Sequence, residues 1–175
     1  MEAIEADGTD EVTFAQRELP TITGEMLNAL RLNGKTLVVE ADNYTIRIAG
    51  RDVKNTSAQV STALSFAPSE YGVTFTLNGG EALPGVVQVE MTGNNAVYTR
   101  VYLHNALKGK WQFLNSYKDH VLEADTAGEY LLTTQNLRFV HVDMTFFIAA
   151  LWSSWASSSP TSSSRNAIGS GNSHK

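Results

Sequence analysis

Residues 35–50 read KTLVVEADNYTIRIAG, two runs in which apolar side chains alternate with polar ones around a short polar break at Asp42 and Asn43. Alternation with a period of two sends successive side chains to opposite faces of an extended chain. Leu37, Val39 and Ala41 therefore share a face of the first run, and Tyr44, Ile46 and Ile48 share a face of the second, with Thr45 and Arg47 opposite them. The pattern predicts a β-hairpin with one oily face and one wet face. Asp and Asn tolerate the left-handed backbone that a tight turn demands, which places the turn at the break.

Upstream of the hairpin, residues 21–34 read TITGEMLNALRLNG and predict a short helix. Thr23 is suited to accept a hydrogen bond from the first helical turn, Ile22 and Leu27 sit at staple spacing, and Met26, Leu27 and Leu30 form one apolar face. Gly34 falls where a left-handed residue would end the helix. Residues 1–20 hold six acids and one arginine with few large apolar groups, the composition of an acidic lead-in or linker, with a frayed strand around residues 12–14.

Downstream the same alternation recurs in short runs, at residues 59–66, 72–77, 86–91, 97–104, 111–117, 120–124 and 129–134. The breaks between them include Asn78-Gly79-Gly80, Gly93-Asn94-Asn95, Lys108-Gly109-Lys110 and Ala127-Gly128, whose residues adopt positive φ at little cost. Short strands with regular turns and a single helix exclude repeated βαβ units. The expectation is an all-β, Ig-like antiparallel sandwich of about nine strands with one short N-terminal helix, occupying residues 21–136.

The chain has 175 residues, 42% of them hydrophobic, which suits one domain with a real core plus extra segments. Its net charge is −5, and residues 1–136 carry 10 basic against 17 acidic side chains, with no run of clustered Lys and Arg. Nucleic acid is therefore not an expected partner. The absence of cysteine excludes disulfides, thiolate metal sites and cysteine nucleophiles together. The N-terminus lacks a basic start followed by an apolar run, so no signal peptide is read there; the alternatives are a cytosolic protein or a fragment, and a fragment is the expectation.

Few residues suggest chemistry. The four histidines, His104, His120, His141 and His174, are not spaced from one another or from carboxylates in a zinc pattern, although His104 and His120 flank a predicted strand pair. No G-x-S-x-G occurs, and the pairs Asp42-Asn43 and Asp119 with Asp125 fall at predicted turns, where backbone demands account for them better than calcium does. Neither metal nor cofactor is expected. The aromatic set Tyr71, Tyr98, Tyr102, Trp111 and Tyr117 is the remaining candidate. Flat apolar rings with polar tips can stack on sugars, and residues four apart in a strand, such as Tyr98 and Tyr102, share a face. That Tyr-x-x-x-Tyr spacing is similar to one in haem-binding NEAT sandwiches, the rest of whose pattern is missing. Core or cross-strand packing is the first expectation for the set. A carbohydrate face using Trp111, Tyr98, Tyr102 and Tyr71 is the alternative.

Taken in order, LNALRLNGKTLVVEADNYTIRIAGRDV (27–53), LPGVVQVEM (83–91), VYTRVYLHNALKGKWQFLNS (97–116) and AGEYLLTT (127–134) resemble a β-sandwich module of large secreted and surface-anchored proteins of Gram-positive bacteria, chiefly gut clostridia. The resemblance covers roughly residues 22–134. It implies a sandwich fold and a cell-surface location, with no catalytic residues. The expected function is a non-catalytic module for adhesion or structural spacing, whose partners are a surface glycan or protein and neighbouring domains of a longer chain.

From Leu137 the composition changes, first to an apolar segment, residues 137–152, and then to a tail, residues 153–175, containing ten serines. In frame the strongly apolar part, residues 144–152, is too short for the ~20 residues that span a bilayer. If the serines use TCN codons, reading one base earlier converts serine runs into Phe, Leu, Ile or Val. The apolar span then reaches about 20 residues and is followed by a basic cluster after Arg165. One reading of the tail is thus a frameshifted membrane anchor. The other is a disordered Ser-rich linker.

Overall fold

The computed structural model of the chain describes residue 8 and residues 10–137. All of these belong to one unit, Met1–Val142. Most of the apolar segment at 137–152, the Ser-rich tail and the anchor expected from them lie outside the described residues.

The chain enters on β1 (Glu11–Ala15), passes the two-residue strand β2 (Thr21–Ile22) and reaches the helix α1 (Gly24–Asn33). The helix is bounded as its sequence predicts. The Thr23 hydroxyl accepts from the Met26 N–H at 3.4 Å, and Gly34 ends the helix at φ 66°, its N–H donating to the Leu30 carbonyl. Leu27, Ala29 and Leu30 are buried, Met26 packs partly against the same core, and Leu32 faces solvent.

The hairpin follows as β3 (Thr36–Glu40) and β4 (Tyr44–Ala49), paired antiparallel with Val39 opposite Ile46 and Leu37 opposite Ile48. Leu37, Val39, Tyr44, Ile46 and Ile48 all enter the core. Full burial of each such side chain contributes about 1.5–3 kcal/mol. The wet face departs from expectation at Val38, which is buried although it sits in register between Thr13 and Arg47 on the other side of the sheet. The turn departs as well. Neither Asp42 nor Asn43 has positive φ, and the strands are joined by three residues with the Ala41 N–H donating to the Tyr44 carbonyl.

Beyond the hairpin, a 3₁₀ turn at Gly50–Asp52 lies so close under α1 that a Cβ on Gly50 would sit 2.1 Å from the Leu30 carbonyl oxygen. Then come β5 (Val60–Ser61), β6 (Phe66–Ser69), β7 (Gly72–Leu77), β8 (Val87–Met91), β9 (Arg100–Asn105), β10 (Lys110–Phe113), β11 (Tyr117–Lys118), β12 (Val121–Ala124) and β13 (Gly128–Thr133). They form a six-stranded sheet in the order β1-β3-β4-β8-β12-β11, a five-stranded sheet in the order β10-β9-β13-β7-β6, and a small β2-β5 pair.

The described residues thus form the expected all-β sandwich with one α-helix before the hairpin. Ile46, Val87, Val89, Met91 and Leu122 from the larger sheet share one apolar cluster with Phe75, Leu77, Val101, Tyr130 and Leu132 from the smaller one, while Ile22, Leu27 and Leu30 join it from the β2–α1 segment. Every named pairing is antiparallel except β1 with β3.

More strands are found than the expected nine, for a topological reason. Residues 59–66 divide into β5 and β6, and residues 111–117 divide into β10 and β11, because in each case the chain leaves one sheet and joins another. Periodicity along the sequence does not register such a crossing. The turn expected at Asp119 is a tight one: Asp119 and His120 have φ 49° and 66°, the double left-handed pair of a type I′ turn, between β11 and β12.

Buried hydrogen bonds hold the loops to this frame. Asn78, at φ 52°, donates through Nδ2 to the carbonyls of Gln59, Glu81 and Ala82, and accepts from the Ser61 N–H at 2.9 Å. The Tyr44 hydroxyl donates to the Thr62 carbonyl and accepts from the Leu64 N–H. The Tyr130 hydroxyl reaches back to the Thr126 carbonyl, the arrangement called a tyrosine corner in immunoglobulin-type sandwiches.

Candidate aromatic face

On the five-stranded sheet, side chains of one parity fill the core and those of the other point outward. Val101, Tyr130 and Leu132 point in; Tyr102 and Leu131 belong to a separate small cluster with Leu137, against which Tyr71 and Trp111 pack. The antiparallel register sets Phe113 opposite Tyr102, Trp111 opposite His104, and Tyr102 opposite Leu131. The result is a continuous aromatic face on β9 and β10, at one edge of the sheet.

The rings are in contact along it. Tyr102 and Phe113 lie 5.4 Å apart with a tilt of 59°, and His104 and Trp111 lie 5.0 Å apart with a tilt of 42°. At one end the Arg100 guanidinium stands 5.9 Å from the centre of the Phe113 ring, within the reach of a cation–π contact. At the other end His104 Nδ1 lies 3.4 Å from Glu129 Oε2. Phe113 is 39% exposed and Trp111 half-buried, whereas Tyr102 is only 2% exposed.

Tyr102 is covered because the chain folds back over it. After β13, the Leu137 N–H donates to the Tyr102 hydroxyl at 2.9 Å, and that hydroxyl stands 3.5 Å from the Gln135 carbonyl oxygen. Tyr71, in the β6–β7 turn, packs on the same cluster, and its carbonyl accepts from the Thr133 hydroxyl. Its phenol is raised above the ordinary range by burial and by the neighbouring Glu70 carboxylate.

Of the four residues read as a carbohydrate face, the structure therefore brings together Trp111, Tyr102 and Tyr71, with Trp111 on the edge strand and Tyr102 covered. It does not bring Tyr98 to them. Strand β9 begins at Arg100, so Tyr98 lies outside it, packs against the main core and accepts from the Tyr117 hydroxyl through its carbonyl at 3.0 Å. The four-residue spacing to Tyr102 carries no shared face because the backbone between them is not a continuous strand. Burial raises the Tyr117 phenol to about 12; burial, with help from the Asp125 carboxylate, does the same to Tyr130.

Phe113, Arg100 and the His104–Glu129 pair were not singled out from the sequence. The i, i+2 repeats Tyr102-x-His104 and Trp111-x-Phe113 were a usable signal for a two-strand aromatic face, but only the register shows that they meet.

The other candidates fall to structural roles. His104 lies on β9 of the five-stranded sheet and His120 in the β11–β12 turn of the six-stranded one, where it packs edge-on to Tyr117 at 6.5 Å. Asn43 accepts from the Asn94 N–H and, through its carbonyl, from the Thr92 N–H, tying down the 3₁₀ turn at Gly93–Val97. Among the described residues no group of three His, Asp or Glu side chains is placed to hold a metal ion, and none of their helices is long and apolar enough to cross a membrane.

No family model, curated protein or solved structure matches the chain.

Proposed function

We propose that the chain is a non-catalytic module displayed outside a Gram-positive cell, serving adhesion or spacing beside other domains, and tethered to the cell membrane at its C-terminus. The observation that carries this reading is where the polar chemistry of the sandwich goes. Tyr44, Asn78, Tyr117, Tyr130 and Thr133 each direct their side-chain polar atoms to backbone groups of loops and turns, so the buried polar side chains hold the scaffold together. A rigid frame whose buried phenols are tied to backbone groups, and whose described carboxylates and histidines are all at least partly exposed, fits display better than proton transfer. Protease treatment of intact producing cells tests it: release of the sandwich into the medium is expected, and full protection of the chain until lysis would overturn it.

A second reading is favoured by a specific feature, the aromatic face of β9 and β10. In it the chain is a carbohydrate-binding module in which Trp111 and Phe113 stack on sugar rings, with Tyr102 and Tyr71 as the packed layer beneath. Trp111 fluorescence should shift or quench on titration with glycans. A flat response across a glycan panel would leave only the first reading.

A further inference from the structure

We propose that the β9–β10 face takes an anionic polysaccharide, with sugar rings on Phe113 and Trp111 and a carboxylate or sulfate group on Arg100; this rests on the carbohydrate reading. The local charge runs against that of the whole chain. Net charge is −5, yet residues 91–118 contain Arg100, Lys108, Lys110 and Lys118 and no Asp or Glu. Arg100 lies on β9 on the same side as Tyr102, and Lys108 lies exposed in the turn that joins β9 to β10, whereas Lys110, next to Trp111, alternates to the opposite side.

The Arg100 guanidinium is the decisive group. It stands over the Phe113 ring, and among the described residues no carboxylate lies within ion-pair distance of it. By contrast Arg47, on the other sheet, is held by Glu11 at 3.3 Å and Glu90 at 3.9 Å. The Glu129 carboxylate lies beside this face, its Oε2 3.4 Å from His104 Nδ1. A planar cation beside two flat apolar rings can bind a planar or tetrahedral anion through paired N–H donors while the rings cover the apolar face of the sugar carrying it.

Nucleic acid offers the same two elements, an anion and a flat ring. It would present a phosphate at every nucleotide and draw on a continuous track of cations. Here one guanidinium stands on the face with one lysine in the adjoining turn, on a chain that is acidic overall.

The test is a titration of the full chain, followed by Trp111 fluorescence with Trp111→Phe as the signal control, using polygalacturonate, a sulfated glycan, neutral xylan and dextran, and single-stranded DNA. Binding is expected for one or both charged polysaccharides, and which one distinguishes carboxylate from sulfate. That binding should weaken with added salt and fall about tenfold in Arg100→Gln, with Arg100→Lys recovering part of it. Circular dichroism of each variant keeps loss of folding separate from loss of binding. Equal binding of neutral and charged glycans that ignores Arg100→Gln would overturn the anion assignment while keeping the carbohydrate reading. Preference for DNA would overturn the anion-glycan assignment in favour of another partner, and no response to any glycan would overturn both.

Discussion

The backbone N–H of Leu137 donates to the hydroxyl of Tyr102 at 2.9 Å, so the chain leaving the last strand is fastened across the outer face of the five-stranded sheet. Removing that oxygen with Tyr102→Phe leaves a buried N–H without its acceptor while the ring stays in place. The expected loss is about 1–3 kcal/mol, read from urea denaturation. A change near zero would mean that Leu137 finds another acceptor, and that the strap is held by apolar contact alone.

The two faces of the β3–β4 hairpin should respond oppositely to substitution. Ile46 is 0% exposed, so Ile46→Asp places an unpaired charge in the core, at a cost of several kcal/mol against a total stability of ~5–15. Loss of the cooperative melt is expected. Arg47→Ala removes partly exposed ion pairs to Glu11 and Glu90 and should cost only about 0–1 kcal/mol, less at high salt. Thermal melts in the reverse order would mean that the strand is turned by one residue.

Gly85 and Gly79 separate a steric requirement from a conformational one. Gly85, at φ 158°, bridges Val53, and a Cβ there would lie 1.9 Å from the Asp52 carbonyl oxygen. Gly85→Ala should therefore force the two segments apart and cost roughly 2–4 kcal/mol. Gly79, at φ 58°, has nothing within 4 Å of the same position, so Gly79→Ala should cost only the left-handed penalty, roughly 1–2 kcal/mol. Comparable melting temperatures for the two variants would contradict the close approach at Gly85.

Stability should fall at high pH through two phenols. Tyr117 and Tyr130 are both raised from 10.0 to about 12, by burial first and for Tyr130 by Asp125 second. A folded-state value above the unfolded one favours the neutral phenol in the native state. Its contribution is complete below pH ~10 and is lost as the pH rises toward 12. Denaturation midpoints measured from pH 8 to 12 should be level and then decline, and Tyr117→Phe should make the decline shallower. Ultraviolet titration showing both phenols ionising near pH 10 in the folded protein would contradict this.

Much of the fold is legible in residues 22–50 because local physics decides it there. Thr23 and Gly34 bound a helix through hydrogen bonds and φ values that depend on a few neighbours, and the alternation from Leu37 to Ile48 selects a core face without reference to the rest of the chain. What alternation cannot convey is which sheet a strand joins. Trp111 and Tyr117 lie in one apolar-patterned run, yet they end in different sheets, because a side chain's period records burial and carries no label for the partner that buries it. The same limit separates Tyr98 from Tyr102 and joins Phe113 to it: strand ends and register are set by hydrogen bonding between segments distant in the chain. Sequence alone determined the strand-rich class, the helix with its caps and the aromatic residues themselves. Only the tertiary structure decided which aromatics share a face, because that depends on pairing β9 with β10 and β13, and on Leu137 returning to cover Tyr102.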